Sequence, residues 1–458
     1  MATLDSSIVN IALPTLTQEL GVDLPHVKWV VIIYLLVVTC LLLPFGRISD
    51  QFGRKRVFQL GFFFFTVGSI FCGMSSTLNG LVLSRAFQAL GAAMLMANGP
   101  AIITACFPSQ ERGTALGTMG MVVSAGLISG PSIGGLLIGH WGWPSIFLVN
   151  VPIGFIGIFL VQIFVDANVA GQPLGRSPRA PFDWTGAILQ MILLISFIIL
   201  FDPPSLSIAG SLPFTLPRPV LGTLVLVLGI LFFKVEKRAA APLFDLTLLK
   251  VRSFWAGNLA SFLTFVSFSS VSVLMPFFLQ HVLHFSPKLT GGFMTAVPLM
   301  IFVVAPISGR LSDRMGSRGL SVVGACIGAL SIFGMAGLFG DGITEHVSRA
   351  GIIIGLCSVG IATGLFQSPN NSSIMGSVPL SKLGVASALL ATIRNLGLVT
   401  GTGLATSLFS WQMQVTGNFV TSLHFALFIA GGLGAGAMMA SLGKRKEGVI
   451  RGKTPEKG

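Results

Sequence analysis

Apolar runs of about 20 residues, each long enough to cross ~30 Å of hydrocarbon as a helix, recur along almost the whole chain with few charges inside them. The pattern predicts spans at about Met1–Gln18, Lys28–Ile48, Val57–Met74, Gly80–Phe107, Gly113–Gly139, Pro144–Val165 and Trp184–Leu200. It continues with Pro219–Phe233, Phe254–Gln280, Thr290–Gly309, Leu320–Gly340, Ala350–Met375, Leu383–Phe409 and Leu423–Leu442, fourteen in all. The short alternating segments of a membrane β-barrel are absent. The expected fold class is therefore an all-α integral membrane protein, with the eighth span the shortest.

The polar breaks between the runs carry a repeat. Gly46 to Arg56 reads GRISDQFGRKR, and Gly309 to Arg318 reads GRLSDRMGSR, with Gly46/Gly309, Arg47/Arg310, Ser49/Ser312, Asp50/Asp313 and Gly53/Gly316 in one register. The chain reads as a duplication. The interval between the two copies exceeds one six-span unit, so two spans are inserted, at Trp184 and Pro219, flanked by charged or Pro/Gly-rich connectors. The expected organisation is an N-terminal six-helix bundle (1–165), a linker with two extra membrane helices (166–252), a C-terminal six-helix bundle (253–443) and a basic tail (444–458). The two bundles are related by an axis along the membrane normal. The repeat also leaves the first helix short by roughly 11 residues, ~16 Å at 1.5 Å per residue. This is read as a first helix truncated by a misplaced start codon, with a working stub as the alternative.

Composition sharpens the class. Hydrophobic residues make up 53% and charged residues 9%, against about a quarter charged in an average soluble domain. The net charge of +13 comes from loops on one side. If the Gly46 turn is cytoplasmic, only Lys28, Arg218, Lys288 and Arg349 fall outside and only Arg85 and Arg394 lie in the membrane, while the rest of the 28 Lys and Arg are inside. Both termini are then cytoplasmic, in a plasma (inner) membrane, and no nucleic-acid partner is implied. All five cysteines sit in or beside apolar runs without a CxxC pair, which argues against disulfides and against a metal site. No cofactor is expected. A membrane enzyme would need a carboxylate cluster or paired ligands, and His281 and His284 lack an acidic partner.

Six ordered motifs resemble the major facilitator superfamily, and within it the fourteen-span drug:proton antiporter branch. Gly46-Arg-Ile-Ser-Asp50-Gln-Phe-Gly53-Arg54-Lys55-Arg56 is similar to the signature loop between spans two and three. Leu4-Asp5, Ile8-Val9-Asn10 and Ala12-Leu13-Pro14 resemble the branch's first-helix motif, and Arg85, Gln88 and Gly91 its fourth-span motif. Gly126, Gly130-Pro131 and Gly134-Gly135 resemble the fifth-span antiporter motif. Two linker pieces, Phe182-Asp183-Trp184 with Gly186 and Pro242-Leu243 with Asp245-Leu246, also look like that branch. The resemblance implies two six-helix bundles plus two inserted helices, and proton-coupled efflux of small amphipathic molecules by alternating access. A proton-coupled or facilitative transporter of a metabolite is the alternative. The expected partners are a small-molecule substrate, protons and the bilayer. The loop Trp411–Thr421 is brief, so an external adaptor protein is not expected.

Candidate chemistry is sparse. Asp5 is the one carboxylate inside a predicted span, roughly 13–21 Å below the outer end of its helix, and Arg85 reaches a compatible depth. Burial disfavours the charged carboxylate and a nearby guanidinium favours it, so Asp5 could exchange a proton with conformation; a fixed structural pair is the other reading. Gln88 and Ala92 share Arg85's face and are expected toward the cavity. Asn10 points elsewhere and suits a helix–helix hydrogen bond. Arg394 is either a structural pair or a cavity residue. Gln367, Asn370 and Asn371 share one helix face and suit either the cavity or interhelical hydrogen bonding. Gly46, Asp50, Gly53, Arg54 and Asp313, with the bend at Gly130 and Pro131, are the expected conformational latch. With Asp5 the only carboxylate in reach of both proton and cationic substrate, monovalent or neutral apolar compounds are the expected cargo.

Overall fold

A computed structural model describes residues 1–106, 112–165, 183–201, 218–238, 248, 250–338, 349–378 and 383–444. The side chains of Asp50 and Asp313, and most of both linkers flanking the inserted spans, lie outside the described residues. Among the described residues all regular structure is helical. The first part holds α1 (Ala2–Leu20), α2 (Leu24–Val27), α3 (Trp29–Phe52), α4 (Arg54–Met74), α5 (Leu78–Cys106), α6 (Arg112–Trp141), α7 (Ser145–Leu148) and α8 (Asn150–Phe164). Then come α9 (Trp184–Phe201) and α10 (Arg218–Arg238). The last part holds α11 (Arg252–Phe277), extended by a π-turn over Phe278–Val282, then α12 (Pro287–Met294), α13 (Ala296–Met315), α14 (Ser317–Leu338), α15 (Arg349–Gly376), α16 (Leu383–Thr416) and α17 (Phe419–Leu442).

Ten helical stretches among the described residues are long and apolar enough to cross a membrane. The predicted spans in α1, α6, α9 and α16 are helical but fall outside that set. For α1 the reason is visible, since Asp5, Ser6, Ser7 and Asn10 dilute its apolar character. Several boundaries move. The eighth span, read as short, is a helix of 21 residues, and the sixth is interrupted at Val149 between α7 and α8. α16 runs on to Thr416, so its connection to α17 shrinks to Gly417 and Asn418, whose side chain accepts from the Val420 and Thr421 amides.

The basic stretch around Gly53 is scarcely a loop. Helix runs through Phe52 and resumes at Arg54, and Gly53 alone turns the chain at φ 96°. Gly316 does the same between α13 and α14 at φ 87°. These angles are open to glycine and strained for other residues. In both copies the glycine N–H donates to the carbonyl four residues back, Ser49 and Ser312, at 2.9 Å. The duplication extends to packing. In the first half α4 packs on α5, α3 on α5, α1 on α6 and α4 on α8; in the second, α14 packs on α15, α13 on α15, α11 on α16 and α14 on α17, in the same order.

Small residues set how closely these helices approach. A Cβ on Gly68 would press on the Gln88 backbone, and one on Gly324 on the Phe366 backbone, so α4/α5 and α14/α15 meet with main chains nearly touching. The outward faces carry bare Phe155, Phe159, Phe164, Leu226 and Ile354, an apolar surface suited to lipid. The halves meet along α6 with α12 and α13, and along α3 with α16. The inserted pair stands at the second seam, with α9 against α3 and α16 and α10 behind it.

Candidate substrate cavity and coupling site

Polar side chains are costly in an apolar bundle unless they satisfy one another, and the first half gathers its own into one knot. Asp5 on α1 accepts at Oδ2 from Arg85 Nη1 at 2.5 Å, and at Oδ1 from Gln88 Nε2 at 3.0 Å and Asn150 Nδ2 at 2.9 Å. Arg85 on α5 also donates from Nε to the Val30 carbonyl at 3.1 Å and from Nη1 to Gln88 Oε1 at 2.5 Å. Gln88 donates onward to Ser69 Oγ at 2.8 Å. The Arg85 guanidinium lies over the Tyr34 ring, 4.0 Å from its centroid, a further stabilisation of a buried cation. Asp5 is 0% and Arg85 1% exposed. Helices α1, α5 and α8 thus meet at one carboxylate, and α3 and α4 join through Arg85 and Gln88.

The helical spacing of Arg85 and Gln88 explains why both reach Asp5, but it aims them into their own bundle. Gln88 and Ala92, expected toward the cavity, are fully buried away from it. Asp5 itself is enclosed rather than presented to substrate. Asn150 and Tyr34 escaped the sequence reading. Asn150 stands near the start of an otherwise apolar stretch, and Tyr34 is the chain's one tyrosine; either singularity could have flagged them.

Between the halves lies a cavity of about 870 Å³, within the range of small-molecule sites. Gln367, Asn371 and Arg394 line it, together with Asn10, Ser272 and Asn395. Its apolar walls come from Tyr34, Phe265, Phe268 and Phe302. Asn370 does not join them: it is buried, accepts from Lys444 Nζ at 2.5 Å, and donates to the Gly257 carbonyl at 3.2 Å. It thus faces α11 and the end of α17 rather than the cavity. Among the described lining residues Arg394 is the sole formal charge.

The cavity reaches from Asn10 and Ser272 toward Ala2, Ser368 and Asn371, that is, toward the Gly53 end of the bundle. At the opposite, Gly21 end the halves are closed on each other. Asn10 Nδ2 donates to Ser272 Oγ at 2.9 Å, the interhelical bond its spacing suggested, and Gln280 Nε2 donates to the Ile11 carbonyl at 3.2 Å. Ser132 and Thr295 hydroxyls bond at 2.6 Å. Gly135 abuts the Pro287 carbonyl and Gly291 the Pro131 carbonyl so closely that neither has room for a Cβ. Gly130 and Gly134 lie likewise against Ser7 and Ile8 of α1. Of the other latch residues, Gly46 stands in open space and Gly53 makes the turn.

No metal-holding cluster of His, Cys, Asp or Glu occurs among the described residues. The sequence profile described as Major Facilitator Superfamily matches residues 1–402. The riboflavin transporter RibZ of Clostridioides difficile is 38% identical over 92% of this chain and 88% of its own length. The multidrug resistance protein Stp of Mycobacterium tuberculosis is 29% identical over 91% of this chain and 75% of its own. A POT family transporter solved with a thioalcohol-conjugated peptide superposes with a TM-score of 0.67 at 16% identity, covering 96% of this chain and 93% of that one. Motifs, packing repeat and matches converge: this chain belongs to the Major Facilitator Superfamily and is a membrane transporter, not an enzyme.

Proposed function

We propose that the protein exports small amphipathic molecules in exchange for protons by alternating access, in the fourteen-span drug:proton antiporter arrangement of two six-helix bundles and an inserted pair. The observation that carries this reading is the buried Asp5–Arg85 pair on α1 and α5, beside a cavity to which α1 also contributes Ser6, Ser7 and Asn10. A helix that carries both a buried carboxylate and part of the cavity wall can link the charge state of the one to movement of one half against the other. Cation-rich segments lie at the Gly53 end, which assigns that end to the cytoplasm by the positive-inside rule. The conformation is then cytoplasm-facing, with the outer gate formed by Pro131, Gly135, Pro287 and Gly291. The resistance-protein relatives favour export. The test is accumulation of an amphipathic dye in inside-out vesicles under an imposed pH gradient. Uphill accumulation that collapses with an uncoupler is expected, and gradient-independent equilibration would remove the coupling.

A second reading, transport of a metabolite, is favoured by the 38% identity to a riboflavin transporter. Labelled riboflavin in the same vesicles, loaded on either side, separates the two: saturable flavin flux competing with the dye would assign the cavity to the metabolite.

A further inference from the structure

Arg394 sits on α16, half-buried in the cavity wall. It makes no ion pair and no hydrogen bond to any described residue, whereas Arg85, the other intramembrane arginine, has three hydrogen bonds, one of them to a carboxylate. An arginine held in a membrane protein without an anion is costly, and such side chains face a partner or a water-filled site. Its neighbour Asn395 also lines the cavity, is buried, and its Nδ2 lacks an acceptor. Arg394 therefore presents unused donors to the cavity, with an unsatisfied asparagine beside it, and among the described lining residues no Asp or Glu answers them. Phe265, Phe268 and Phe302 of the same half supply the apolar wall.

We infer that Arg394 receives an anionic acceptor group of the substrate, a carboxylate or its like, while an aromatic or apolar body packs on the phenylalanines. The cargo class is thus an amphipathic organic anion. A monocation would meet an uncompensated like charge, and the buried carboxylate of α1, Asp5, is sealed in its own knot. The guanidinium can offer two parallel N–H donors to a carboxylate.

This inference deepens the reading of the cavity as the substrate site and rests on it, but it does not depend on proton coupling. It is therefore tested at equilibrium, on the full chain in nanodiscs without a gradient. The probes share one ring system: 1-naphthylacetate, its neutral amide 1-naphthylacetamide, and the cation 2-(1-naphthyl)ethylamine. Wild type is expected to bind the anion tightest and the amine weakest. Arg394→Gln should weaken the anion at least about tenfold, the size of a lost charge-assisted bond, and change the amide no more than about twofold. Arg394→Lys should fall between, keeping charge but losing the fork. If the anion binds no tighter than the amine in wild type, or if the glutamine variant leaves its affinity unchanged, the inference is wrong. The wild-type ranking decides even if a variant fails to fold. An absent gradient response with the ranking intact would instead sink the antiport reading alone.

Discussion

Gly291 on α12 lies directly against the Pro131 carbonyl on α6, so the two halves of the protein touch there through main chain alone. A methyl group at that point must push the halves apart or distort one helix. Overpacking of this kind costs about 1–3 kcal/mol, and 1–2 kcal/mol moves a two-state balance about 5- to 30-fold. Gly291→Ala should therefore open the Gly21 end. With spin labels at the exposed positions Asp23 and His284 on opposite halves, the distance distribution should move outward relative to the unsubstituted glycine. An unchanged distribution would mean that this contact does not hold the gate.

The two glycine turns lead to a second expectation. Gly53 and Gly316 have nearly the same backbone geometry, but the first alone is followed by Arg54-Lys55-Arg56. Asp50→Asn should accordingly impair transport more than Asp313→Asn at similar membrane levels, since Asp50 has more cations after it in the sequence. Equal losses, measured as initial export rates, would make the latch symmetric.

Topology provides a third. Reporter fusions after Arg56 and Lys446 should read cytoplasmic, and a fusion after Ser286 external. A fusion at Asp202, between α9 and α10, should also read external. A cytoplasmic signal there would remove the inserted pair from the membrane and with it the fourteen-span count.

Much of this architecture was legible because membrane helices write themselves in runs of apolar residues, and because the duplicated GRxSD segment fixed the register of the halves. The Asp5–Arg85 contact was legible for the same reason, since intramembrane charges are few and their depths can be compared. What periodicity could not supply was which way a helix faces once packed. Gln88 and Ala92 lie on Arg85's face, and that face proved to look inward toward α1, α3 and α4 because Gly68 and Gly91 draw α4 against α5. Asn370 and Asn371 are neighbours in sequence, yet one meets Lys444 and the other the cavity. Such choices are set by tertiary packing that a single helix does not encode.

The last expectation separates the two readings of Asp5 and Arg85, proton exchange or a fixed structural pair. Removing one member of a buried pair leaves an uncompensated charge and costs about 3–5 kcal/mol. Asp5→Asn and Arg85→Gln should each lower the melting temperature for that reason, whatever the pair does. The double variant Asp5→Asn/Arg85→Gln removes both charges while the amides can still bond to Gln88, Asn150 and the Val30 carbonyl, so its stability should recover toward wild type. If the pair is structural, export under an imposed pH gradient should recover with it. If Asp5 carries the proton, the stable double variant should still fail at uphill export while retaining gradient-free exchange of substrate across the membrane, because binding resides in the cavity and coupling in the knot. Thermal unfolding, uphill accumulation and counterflow measured on the same vesicle preparations give the answer, and uphill export by the double variant would take Asp5 out of the mechanism.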